Sequence, residues 1–129
     1  MTEKELSRYY HLKKEIKDLE ERIIKLGDGV GAVEITDMPK GSSNKNTIQQ
    51  RIAELRDRYI ELRITALEEY IKIENFISSI EESEIRTMMR MRFLDLESWE
   101  KIGIEFYCDR RTASRKVHKY IIELARNAH

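Results

Sequence analysis

The stretch SWEKIGIEFYCDRRTASRKVHKY, residues 98–120, decides the fold, because it sets two helix starts and a tight connection side by side. Ser98 is a good N-cap, and Trp99, Ile102 and Phe106 follow at helical spacing, with Ile102 and Phe106 as the inward face. Cys108 and Asp109 make the connection. Asp109 then caps a further helix whose inward side is Ala113, Val117, Tyr120 or Ile121, and Leu124. Gly103 stands where the first of these helices must approach the second closely, so a small residue there has a steric reason. Immediately upstream, EIRTMMRMRFLD (84–95) puts Ile85, Met88, Met89 and Phe93 on one apolar face, with Leu94 as a further candidate and Arg86, Arg90 and Arg92 between them. The spacing predicts three short helices, the last two forming a helix-turn-helix.

Toward the N-terminus, Tyr9, Leu12, Ile16, Leu19, Ile23 and Leu26 recur at steps of three and four, a heptad stripe. Thr2 with Glu5 resembles a capping box and Gly27 stands where a helix stop is expected, which predicts a helix over 3–26. Residues 27–46 hold four of the five Gly and the only Pro, and read as a flexible connector in which VEIT (33–36) is the one short extended candidate. A second long helix starts near Asn46 or Thr47 and carries Ile48, Ile52, Leu55, Tyr59, Leu62, Ala66, Tyr70 or a neighbour, Ile73, Ile77 and Ile80 as its stripe. The two stripes close on each other as a long antiparallel, coiled-coil-like hairpin over 1–80, ahead of a helix-turn-helix domain over 81–129. A second row, Ile60, Ile64, Leu67 and Ile71, is left over, because one partner helix covers one stripe. It predicts a homodimer; packing on the chain's own C-terminal helices is the alternative.

Composition agrees with an all-α chain: 40% apolar and 37% charged residues. The single Cys108 rules out an intramolecular disulfide, and no cleavable signal, lipidation motif or membrane-length apolar run is visible, so the expectation is a reduced, cytoplasmic protein. Net charge is zero, yet unevenly spread. From Glu84 onward ten Lys and Arg face seven Asp and Glu, against fourteen and seventeen before it. The last helix has no acid between Asp109 and Glu123, and its outward residues Arg110, Arg111, Ser114, Arg115, Lys116, His118 and Lys119 suit a DNA groove.

Residues 84–121 resemble the fourth region of bacterial sigma factors. The matching residues are Arg86, Met89, Met91, Arg92 and Phe93, then Ser98, Trp99, Lys101, Ile102 and Gly103, then Thr112, Ala113 and Arg115. With the helices ahead of it, the whole chain is similar to small phage and prophage proteins related to ArpU- and RinA-type late-gene regulators. The resemblance implies a sequence-specific transcriptional regulator acting on double-stranded DNA in a bacterial host cell, with Thr112 and Lys101 added to the DNA-facing set and RNA polymerase as a further partner. A DNA-packaging accessory protein resembling a small terminase subunit, or a polymerase-binding protein that does not read DNA, are the alternatives. Two residues depart from the family pattern. Tyr107 stands where the turn usually has Gly, so the turn is expected to be distorted or to use an unfavourable backbone angle, and Lys101 replaces a common acid.

Catalysis has no candidate constellation: His11, His118 and His129 lie on different segments, and no Gly-rich phosphate cradle or paired carboxylates stand out. Cys108 has no nearby Cys, so neither a zinc site nor any other cofactor is expected, and no small-molecule substrate or membrane partner.

Overall fold

The computed structural model describes residues 1–36 and 42–127, with side chains for 1–27 and 47–127. All regular structure among them is helical: α1 (Glu3–Leu6), α2 (Arg8–Thr36), α3 (Ser42–Ser78), α4 (Ser83–Met89) with a π-helical turn (Arg90–Leu94), α5 (Trp99–Glu105) and α6 (Arg110–Asn127). None of these helices is long and apolar enough to cross a membrane. Thr2 caps α1 by accepting a hydrogen bond from the Glu5 amide at 3.2 Å. The chain divides into two compact units, 12–66 and a second made of 1–11 with 67–129.

In the unit 12–66, Ile16 and Leu19 of α2 and Ile52 and Ala66 of α3 are buried, and Leu12, Ile23, Leu26, Leu55, Tyr59 and Leu62 are half-buried, so both heptad stripes point inward as their spacing predicts. Leu19 and Arg22 face Leu55, Arg58 and Leu62 across one groove. The expected helix stop at Gly27 is corrected: α2 continues through it to Thr36, taking in VEIT, and α3 begins at Ser42 rather than near Asn46. Gly disfavours a helix interior by about 1 kcal/mol relative to Ala, too little to end a helix without a left-handed residue or a competing cap. No atom lies within 4 Å of where a Cβ would stand at Gly27, so no close approach bends the chain there either. Of the expected connector, residues 37–41 lie outside the described residues.

The second unit has one continuous core, formed by Leu6, Ile73, Ile77, Ile80, Ile85, Met88, Met89, Phe93, Leu94, Ile102, Ala113, Val117 and Ile121. A boundary between 80 and 81 runs through this core, and the structure draws it elsewhere. Three helices spanning about fifty residues make only a marginal core; Leu6 and Ile73, both wholly buried, and the end of α3 add a further wall to it. The π turn, with the Asp95 amide bonded to the Arg90 carbonyl at 2.9 Å, brings Phe93 and Leu94 inward together. Three arginines tie the elements down. Arg86 donates to the Ile80 carbonyl at 2.9 Å, Arg90 to the Ser78 hydroxyl at 3.3 Å with Glu74 at 3.5 Å, and Arg92 to the Glu97 carbonyl at 3.0 Å.

Candidate nucleic-acid interface

The site is built on the approach of α5 to α6. The Ser98 hydroxyl accepts from the Lys101 amide at 3.1 Å, which starts α5, and buried Ile102 anchors it. The helix closes with the Cys108 amide on the Gly103 carbonyl at 2.9 Å. A Cβ on Gly103 would stand 2.6 Å from the Cys108 carbonyl oxygen and 3.2 Å from the Arg110 nitrogen, so the close approach read from the sequence is real and excludes any side chain. Tyr107 turns the corner with φ 55°, a left-handed angle that an L side chain adopts at a cost of about 1–2 kcal/mol, and its ring is 98% exposed. This is the unfavourable angle expected where Gly is usual.

Asp109 then caps α6. Its Oδ1 accepts from the Thr112 amide at 2.7 Å; hydrogen bonding from the Thr112 side chain and then its amide, helped by the nearby Arg111 and Arg115 charges, holds its carboxyl below the usual range. Ala113, Val117 and Ile121 are buried, which fixes the rotation of α6 and turns its opposite side outward. The expected DNA-facing residues then separate into two groups. Arg110, Arg111, Thr112, Arg115 and Lys119 are exposed, and the four cations among them have no carboxylate partner among the described residues. The others are engaged. Lys116 bonds Glu84 at 2.9 Å, which raises its ammonium pKa, and Lys101 bonds Glu97 at 3.0 Å. His118 is half-buried, with Nε2 2.7 Å from Glu3 Oε1 and Nδ1 2.7 Å from the Ser114 carbonyl, and Ser114 is half-buried beside it.

Trp99 joins this surface. It lines a cleft with Arg110, Arg111, Ser114 and Arg115, while the Arg92 guanidinium lies 4.9 Å from its ring centroid on α5's other flank. Tyr107 and Ile122, the latter 52% exposed on α6, are large exposed side chains outside the expected set; Tyr where the resemblance has Gly was the only signal for the first, and Ile122 directly after inward Ile121 gave none for the second. Cys108 is a free, half-buried thiol, and no three His, Cys, Asp or Glu side chains converge among the described residues. The exposed side of α6 presents cations and hydrogen-bond donors suited to an anion. Comparison of the chain with known protein families, with curated proteins and with solved structures finds no match.

Proposed function

We propose that this protein is a sequence-specific DNA-binding transcriptional regulator of phage or prophage type, in which α5, the Tyr107 turn and α6 form a helix-turn-helix. The observation that carries this reading is the cationic face of α6: Arg110, Arg111, Arg115 and Lys119 are exposed and make no ion pair among the described residues, on a helix whose rotation the core fixes. The first turns of a recognition helix are the part that reaches base edges, and Arg111 and Arg115 there can bond guanine bidentately; Arg110 and Lys119 contact phosphate. On this reading α2 and α3 form an antiparallel helical hairpin, and Ile60, Ile64, Leu67 and Ile71, each more than half exposed, pair two copies of the chain rather than packing on its own C-terminal helices. RNA polymerase is the further partner of a regulator so built.

Footprinting across the encoding genome tests it: protection upstream of late genes supports regulation, whereas protection at a packaging site supports a small-terminase role. Affinity for the protected duplex should fall steeply with salt, each neutralised phosphate adding about 0.9 to the slope of log K against log salt. A flat titration overturns DNA binding by this face.

A further inference from the structure

The exposed row on α3 has charged borders that differ from one side to the other. Ile60, Ile64, Leu67 and Ile71 are 52–60% exposed and lie on the side of the helix away from Leu62 and Ala66, which turn inward. Along one border run Glu54, Glu61 and Glu68, seven residues apart; along the other run Arg56 and Arg63, also seven apart, with Tyr70 next in line. All are exposed. Arg56, Glu61 and Glu68 have no ion-pair partner among the described residues, Arg63 rests 5.7 Å from the Tyr59 ring centroid, and Glu54 pairs with Arg51 at 3.6 Å.

Borders of opposite sign specify both the occupant of the row and its direction. In a parallel pair of helices, the residue before one seam position meets the residue five places further on in the other helix. Arg56 then faces Glu61 of the partner subunit, and Arg63 faces Glu68 of the partner subunit. In an antiparallel pair like borders meet, arginine against arginine and glutamate against glutamate, which repels. A two-fold axis along the row satisfies every such pair twice.

We infer that two copies of this chain associate in parallel along the Ile60, Ile64, Leu67 and Ile71 row, held in register by Arg56–Glu61 and Arg63–Glu68 pairs between copies. This rests on the homodimer of the proposed function and adds its direction. Asp57 continues the seam by one step and meets Asp57 of the partner subunit, so it marks where the apolar seam ends. Parallel pairing puts the C-terminal end of α3 from both copies on the same side, which brings two α6 helices to one DNA site and calls for an operator with two half-sites.

Sedimentation at micromolar concentration comes first, and a wild-type monomer overturns dimer and direction together. In a Cys108→Ser background, Asp57→Cys should then form an intermolecular disulfide under mild oxidation. In an antiparallel pair centred on Ile64 and Leu67 the two positions stand about 25 Å apart along the axis. A stable dimer with no cross-link, and spin labels at residue 57 reading that longer separation, overturns the direction alone. A second route keeps Cys108. Arg56→Glu with Arg63→Glu should weaken self-association by about tenfold or more, and mixing with Glu61→Arg/Glu68→Arg protein should restore it. Unweakened self-association in the Arg-to-Glu variant also overturns the parallel arrangement.

Discussion

Arg86, Arg90 and Arg92 differ from Arg110, Arg111 and Arg115 in nothing but what surrounds them. The first three each reach a neighbour's carbonyl, hydroxyl or carboxylate and hold α4 and the π turn against the end of α3 and the start of α5. The second three have no carboxylate partner among the described residues. Positive charge counted along the sequence therefore overstates the interface, since part of it is spent on architecture. Partner-by-partner accounting separates cations that fasten the fold from cations offered outward.

The sharpest way to break that contrast is to remove an outward arginine. Arg111→Ala and Arg115→Ala should each cost about 1–3 kcal/mol of specific DNA binding, with the melting temperature unchanged; fluorescence anisotropy on the footprinted duplex reads the first and calorimetry the second. Unchanged binding in both would sink the assignment of α6. The reverse pattern is expected for Arg86→Ala. It leaves the part-buried Ile80 carbonyl without its charged donor, so about 1–3 kcal/mol of stability should go while the folded fraction binds DNA as before. Denaturant titration with and without DNA distinguishes the two outcomes.

Lys101→Ala tests the middle ground, because its partner Glu97 is on the same turn and the lysine is largely solvated. Stability should move by no more than about 0.5 kcal/mol. A tenfold loss of DNA affinity in this variant would mean that an ion pair at 3.0 Å opens to serve the nucleic acid, and the division drawn above would have to be redrawn. The smallest effect concerns Asp109. Its carboxyl is held below the usual range in the folded chain, so the stability it contributes is present above the ordinary aspartate pKa and is lost as pH falls through the lowered value. Asp109→Ala should melt lower than wild type at neutral pH and lose less on acidification, which parallel thermal melts across the acidic range will show.

Local chemistry was legible in the residues. Ser98 and Asp109 as caps, Ala113 and Val117 as the inward side of α6 and Gly103 as the close approach follow from spacing and side-chain type within a few positions, while the left-handed angle at Tyr107 was expected only from the family resemblance. Connections across long sequence distances left no such trace. Glu3 lies 115 residues from His118 and Glu84 lies 32 from Lys116, so two residues expected at the DNA face gave no sign of their carboxylate partners. Leu6 stands ahead of the heptad stripe that begins at Tyr9, and only packing reveals it as a wholly buried member of the C-terminal core. Gly27 misled for another reason: a conformational preference of about 1 kcal/mol is a bias, and here the helix overrides it.

Because Leu6 shares a core with Val117 and Ile121, the order of synthesis matters. Leu6 leaves the ribosome more than a hundred residues ahead of Val117 and Ile121, and residues 12–66 are made in between as a unit of their own. At about 5–20 residues per second, Leu6 waits several seconds for α6. The intervening unit can form from local contacts in that time and draw the ends of its own segment into reach, which shortens the loop that the later core must close. Until then Ile73, Ile77 and Met88 have no complete cover, and a chain stalled before α6 would present them to chaperones and proteases.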